Sequence, residues 1–218
     1  MSRTSLMLTT RFLCASALSL RGMPLLHGNC GTLRKLHTTS PSMCAEAVVE
    51  GPTAFEELDV RVGRIVEAWE HPDSEKLWCE RIDVGEEEPR EIASGLRAYY
   101  PTADLLAGRS VIVVCNLKAA KLAGFASNGM VLCASSTDKG VVAFVEPPEG
   151  SAPGERVLCK DSTAIPPASP NRVKKKKLME AAAEELRAVD GVATYRGVPL
   201  CTEAGPCTSP TVAEGTIN

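Results

Sequence analysis

Between Phe55 and Cys159 the apolar residues recur in short runs of Val, Ile and Leu, each closed by turn-forming residues. That rhythm constrains the fold more than any other feature. The runs are Asp59 to Ala68, Leu77 to Val84, Glu91 to Gly95, Ser110 to Cys115, Gly129 to Ala134, Val141 to Val145 and Glu155 to Cys159. Between them lie His71-Pro72-Asp73, Gly85, Pro101, Gly124, Asp138-Lys139-Gly140 and Pro147-Pro148-Glu149-Gly150, all of them turn chemistry. Runs of this length have the period of strands. Only Thr102 to Leu106 offers room for a helix, a short one between the third and fourth runs. The expected class is all-β, a five-stranded closed barrel of the oligonucleotide/oligosaccharide-binding (OB) type with that short helix in its middle connection. Periodicity alone does not separate such a barrel from a sandwich of similar strands.

Charge divides the chain into three segments. Residues 1–53 carry five basic and two acidic groups, residues 54–159 carry 11 and 18, and residues 160–218 carry eight and seven. The total of −3 excludes a uniformly basic nucleic-acid binder. The middle segment, at −7, can hold a polyanion only if its cations are segregated from its anions. Aromatic residues are scarce at 4%, so any stacking surface must draw on Trp69, Trp78, Tyr99, Tyr100, Tyr195 and four phenylalanines.

The first 45 residues contain no Asp or Glu, and Arg3, Arg11, Arg21, Arg34 and Lys35 are spaced through Ser/Thr- and Leu-rich sequence. That composition is expected of an organelle transit peptide, directing the chain to mitochondrion or plastid. A plain unfolded tail on a cytoplasmic protein is the alternative. The longest uncharged apolar run, Phe12 to Leu20, is about half of what a membrane span needs, so no membrane partner is expected. The same run fits the core of a secretory signal, but Arg11 in front of it and the later Arg34-Lys35 pair favour import.

Nine cysteines give no ligand pattern. Cys14, Cys30 and Cys44 lie in the leader, and Cys79, Cys115, Cys133 and Cys159 sit in or beside apolar runs as small hydrophobes. Cys201 and Cys207 have no histidine nearby, and His27, His37 and His71 are scattered, so no metal and no cofactor are expected. No Ser/His/Asp order, phosphate loop or framed carboxylate pair appears, and the chain is read as not an enzyme.

Beyond Cys159 a linker, Ala164 to Arg172, leads into a helix expected from Ser169-Pro170 to about Arg187, with Leu178, Ala182 and Leu186 as its apolar stripe. Lys174 to Lys177 fall in its first half, against the helix dipole, and suit an anion. A strand pair around Tyr195-Arg196-Gly197 and a poorly structured end complete the expectation. The organisation is thus a leader over 1–45, a barrel over 54–159 and an extension over 160–218.

Ordered motifs along the barrel resemble a known family. They are Asp59-Val60-Arg61-Val62-Gly63-Arg64-Ile65, His71-Pro72 with Lys76-Leu77, Glu80-Arg81-Ile82-Asp83-Val84-Gly85 and Arg90-Glu91-Ile92-Ala93-Ser94-Gly95-Leu96. They continue with Asn116-Leu117-Lys118, Lys121, Gly124, Ser127, Gly129 to Ala134 and Pro147-Pro148-Glu149-Gly150 with Pro153-Gly154-Glu155. This pattern resembles the tRNA-binding domain shared by endothelial-monocyte-activating polypeptide II, the appended C-terminal domains of certain tyrosyl- and methionyl-tRNA synthetases, and free-standing tRNA-binding proteins. Lys174 to Lys177 and Ala193 to Pro199 are similar to the C-terminal extension of the polypeptide II branch. The resemblance implies that this extension packs on the barrel and imitates a dimer interface, giving a monomer or pseudo-dimer-like unit.

Candidate RNA contacts are Arg61, Arg64, Lys76, Arg81, Arg90, Ser94, Asn116, Lys118, Lys121, Ser127 and Lys174, Lys175, Lys176 and Lys177, with Arg97 in reserve, because phosphate neutralisation supplies most of the affinity. Trp78 is either a base-stacking platform or a wall of the barrel. Between Lys121 and Ser127, where family members commonly carry extra cations, this chain has Leu122-Ala123-Gly124-Phe125-Ala126, so one or two phosphate contacts are expected to be missing. The leading expectation is a non-catalytic tRNA-binding cofactor of an aminoacyl-tRNA synthetase, acting on backbone and shape. The alternative is a protein-interaction scaffold or a cytokine-like signalling polypeptide, since Arg61 to Val66 resembles the segment linked with that activity. A redox or metal enzyme using Cys201 and Cys207 ranks below both.

Overall fold

The computed structural model describes residues 51–218 except Lys139. The leader read over 1–45, with Cys14, Cys30, Cys44, His27 and His37, lies outside the described residues.

The apolar runs fold as strands. β1 (Val60–Glu70), β2 (Trp78–Asp83) and β3 (Arg90–Ser94) form an antiparallel meander. A single 3-10 turn, Ala103–Leu105, precedes β4 (Ser110–Val114), which pairs with the other edge of β1. A hairpin of β5 (Ala120–Leu122) and β6 (Phe125–Ser127) follows, then β7 (Met130–Val131) beside β4. β8 (Cys133–Ser136) and β9 (Val142–Phe144) continue the wall. Backbone bonds from Val62 N–H to Glu155 O (2.8 Å) and Val157 N–H to Val60 O (2.9 Å) bring the chain back onto β1 and nearly close the five-strand antiparallel barrel.

Two cores share the barrel wall. Ile65, Trp78, Ile82, Ile92, Val111, Val113, Val131 and Phe144 fill its interior. Val60, Val62, Ile112, Val114, Leu132 and Val157 belong to the second core, which lies outside it. β4 alternates between the two, so it is buried on both faces and reads as an unbroken apolar run. Gly63 is needed for inward packing: a Cβ there would lie 2.7 Å from Ile82 Cγ2 and 2.8 Å from Val113 Cγ2. The irregularity that bends β1 comes later, between Ile65 and Glu67.

The extension supplies the other half of the second core. After β10 (Leu158–Cys159) come two helices, α1 (Pro170–Lys176) and α2 (Leu178–Ala183), in place of the one expected. Lys177 breaks them in the left-handed region, at φ 52°. The reason is packing. In a continuous helix Val173 and Leu178 would face directions roughly 140° apart, whereas the break buries both against the barrel. This outweighs a cost of about 1–2 kcal/mol for a non-glycine residue at that φ.

Leu186 and Arg187, expected at the helix end, instead belong to β11 (Leu186–Val189), where burial alternates with period two. β12 (Val192–Tyr195) and β13 (Val198–Thr202) are the anticipated strand pair, and β14 (Gly205–Pro206) adds to it. The end of the chain is ordered, contrary to expectation: β15 (Gly215–Ile217) pairs with both β11 and β8, and Val212 and Ile217 are buried in the second core. Barrel strands β8 and β9 thereby join the extension's strands in one sheet. The three two-residue loops Ala123-Gly124, Asp190-Gly191 and Arg196-Gly197 have positive φ at both positions, the arrangement that matches strand twist in a tight hairpin.

The described cysteines are all free. Burial pushes the thiols of Cys115 and Cys159 up to about 11 and those of Cys133 and Cys207 up to about 12, which leaves them protonated and inert as nucleophiles.

Candidate nucleic-acid interface

The arginines and lysines of this chain have different fates. Arg61 grips Asp59 through Nε (3.0 Å) and Nη2 (2.7 Å) and lies 3.5 Å from Glu86. Arg81 lies between Glu67 (3.0 Å) and Glu91 (3.5 Å), over the Trp69 ring. Arg90 forks onto Glu86 at 2.6 and 2.7 Å, and its guanidinium holds that carboxyl below its ordinary value. Arg97, Arg109 and Arg156 pair with Glu70, Glu146 and Asp59. Of the seven arginines between 54 and 159 only Arg64 is left without an acidic partner among the described residues. Arg61, Arg81 and Arg90 each lie against carboxylates, so their charge is balanced locally in the free chain.

Four uncharged candidates are also committed elsewhere. Trp78 is 1% exposed inside the barrel and its Nε1–H donates to Tyr100 O at 2.8 Å, so it is a wall and not a stacking platform. The buried Ser94 hydroxyl donates to Glu80. Ser127 Oγ accepts from Ala93 N–H and donates to Gly129 O. Asn116 accepts from Asp59 N–H through Oδ1 and donates through Nδ2 to Glu57 O and Ala168 O, tying the barrel to the segment that leads into α1. Their hydrogen-bonding capacity is spent on architecture.

The lysines remain. Lys76, Lys118, Lys121 and Lys174 to Lys177 are exposed, and none makes an ion pair with a described residue. Lys118 and Lys174, far apart in sequence, line one groove of about 540 Å³ between the segment entering β5 and the α1–α2 pair. Its other walls are Leu117, Ala119, Ala120, Val173, Met179 and Glu180. Lys175, Lys176 and Lys177 continue from Lys174 along α1 and its break. The fold thus brings Lys118 and Lys174 together and leaves these lysines and Arg64 without ion pairs among the described residues, while it sets the other barrel arginines beside acids.

The β5–β6 hairpin that carries Lys121 was not legible as strands. Its turn at Ala123-Gly124 and the alternation around it were the available signals. Phe125 packs edge-on against Trp69 (6.0 Å) and His71 (6.1 Å), and His71 holds the hairpin through an Nε2 bond to Leu122 O (3.2 Å) while Nδ1 accepts from Asp73 N–H. His71 therefore fixes two loops, the one it lies in and the hairpin.

Known proteins bear on this surface. Residues 60–156 match the family described as "Putative tRNA binding domain". The chain is also similar to the solved C-terminal domain of Plasmodium vivax p43, at 34% identity and a TM-score of 0.70, covering 75% of this chain and 98% of that one. The chain belongs to the tRNA-binding domain family. Among curated relatives, it is 44% identical over 157 residues to a cytoplasmic methionine–tRNA ligase of Caenorhabditis elegans, covering 72% of this chain and 17% of the ligase. It is 38% identical over 186 residues to the aminoacyl tRNA synthase complex-interacting multifunctional protein 1 of Cricetulus griseus, covering 84% of this chain and 49% of that protein. The chain therefore spans half or less of the length of these relatives.

As a member of the tRNA-binding domain family the chain has a two-part groove. The family match ends at Arg156, so it includes Lys118 and Lys121 but not the wall bearing Lys174, Met179 and Glu180. That wall belongs to the extension. At the cation-poor stretch 122–126, Phe125 packs against Trp69 and His71.

Proposed function

We propose that this chain binds tRNA through the lysine groove and acts as a non-catalytic partner of an aminoacyl-tRNA synthetase. The observation that carries the reading is the meeting of Lys118 from the barrel and Lys174 from the extension across one groove, with Lys121 next in the chain to its lining residue Ala120 and Lys175 to Lys177 following Lys174. Free ammonium groups arrayed over two elements suit the phosphate backbone and the overall shape of a folded RNA, without reading sequence. The site needs both segments, 54–159 and 160–218. The relatives, ligases for tRNA and a synthase complex-interacting protein, support the same partners. We extend the proposal to a monomer, since the extension already covers the outer apolar face of the barrel. The acid-free leader supports delivery to an organelle.

Filter binding of bulk tRNA over a salt series tests this directly. Six engaged lysines, at 0.7 to 0.9 each, predict a slope of log affinity against log salt of about −4 to −5. Absent binding, or binding indifferent to salt, contradicts the reading. The signalling alternative gains nothing from the fold: Arg61 to Val66 lies in the first half of β1, where Arg61 to Arg64 pair with β4 and the other edge meets residues 155–157 and then β2, as an integral barrel strand.

A further inference from the structure

Phosphate binding explains only part of the groove. Its floor is apolar: Leu117 and Met179 are half-buried against the second core, beside Ala119, Ala120 and Val173. Such a surface offers a phosphate nothing. Glu180, on the same wall as Lys174, is exposed and makes no ion pair with a described residue. A carboxylate there repels phosphate, so a site selected for backbone contact alone has no use for it.

Both features suit the flat face and polar edge of a nucleobase. Thioether and aliphatic groups pack well on a π face. A carboxylate is an acceptor only, with two oxygens side by side. Guanine is the base that presents two adjacent donors, N1–H and the 2-amino group, on its Watson–Crick edge. Adenine and cytosine set one amino donor next to an acceptor, and uracil sets its single N–H between two acceptors, so each turns a lone pair toward one carboxylate oxygen. In a duplex the guanine edge is already paired, so the base must come from a loop or an end. A volume of about 540 Å³ is within the range of small-ligand sites.

We infer that the groove takes one unpaired guanine, its ring on Leu117 and Met179, its Watson–Crick edge on Glu180, and its flanking phosphates on Lys118 and Lys174. This rests on the groove being the RNA seat. It goes further in naming a base and in giving a carboxylate an attractive role in RNA binding.

The test is fluorescence titration of the full chain with RNA hairpins that share a stem and differ at one loop position, carrying guanosine, inosine or adenosine. Inosine keeps N1–H and lacks the 2-amino group. The guanosine loop is expected to bind about tenfold tighter than the adenosine loop, with inosine between them, the size of one bidentate base contact. Glu180→Gln is expected to weaken the guanosine loop about tenfold and to remove the preference. A groove that holds phosphates alone gives the opposite sign, with Glu180→Gln tightening every loop by removing repulsion, and that result overturns the inference. So does a Glu180→Gln variant equal to wild type on all three loops, the outcome if the groove seats a protein helix. Wild-type protein that binds tRNA but shows no loop preference overturns the guanine assignment alone. Protein that binds neither overturns the RNA reading beneath it.

Discussion

A variant in which Lys118, Lys121 and Lys174 to Lys177 are all alanine is expected to bind tRNA at least about 100-fold more weakly than wild type near 0.1 M salt, with its salt slope reduced by about 4 to 5. All six side chains are exposed and free of ion pairs with described residues, so the loss should come without a change in the unfolding midpoint large enough to explain it. Arg81→Ala is the matched control. Its guanidinium is held between Glu67 and Glu91, and removing it frees two carboxylates at the surface. Because an exposed pair of this kind contributes little to stability, a small effect on both folding and tRNA affinity is expected. Equal losses for the two variants, measured by filter binding at several salt concentrations, would mean that charge is read by the whole surface and not by the groove.

Glu80→Gln is expected to make the protein more stable above neutral pH by as much as about 3 kcal/mol. Glu80 is 0% exposed, one of its oxygens accepts from Ser94 Oγ at 2.6 Å, and the other has no hydrogen-bond partner among the described residues. Burial lifts its carboxyl to about 7, against a smaller opposing effect of the Ser94 hydroxyl. Below the ordinary value of 4.5 the folded and unfolded chains both hold the proton, and the group is neutral in its buried site. Between 4.5 and about 7 the unfolded chain releases the proton first, so it binds fewer protons than the folded chain and stability falls as pH rises. Above about 7 the folded state carries the whole cost of a buried charge. Urea titrations at pH 5 and pH 8 should show wild type losing stability between them and Glu80→Gln losing much less. Parallel behaviour of the two proteins would place the proton elsewhere.

How far the sequence reached depends on whether the deciding contact is local. β4 was legible because Ser110 to Val114 is buried on both faces and shows it as an unbroken apolar run. The end of α2 was not, because Leu178, Ala182 and Leu186 keep a helical spacing across a change of element, the last of them lying in β11. Asp190-Gly191 is a strong hairpin dipeptide that marked the change. β15 was out of reach, since it is ordered by pairing with β11 and with β8, which lies in the middle of the described chain.

The interface follows the same rule. A lone sequence distinguishes cations from anions but not paired cations from free ones: Arg81 meets Glu67 across two strands, and Arg172 meets Glu57 across 115 positions. Only the fold separates these arginines from Lys118 and Lys174. Arginine–acid pairing leaves the net charge of −7 over 54–159 unchanged, since each pair removes one charge of either sign; what the pairs decide is which cations stay unpaired among the described residues, Lys118 and Lys121 among them.

The central claim, that RNA is seated where barrel and extension lysines meet, is tested most directly by lysine acetylation of the full chain with and without bulk tRNA, read residue by residue by mass spectrometry. Protection is predicted at Lys118, Lys121 and Lys174 to Lys177 together, disappearing at high salt. Saturating tRNA that leaves Lys118 and Lys174 as reactive as in the free protein would contradict it.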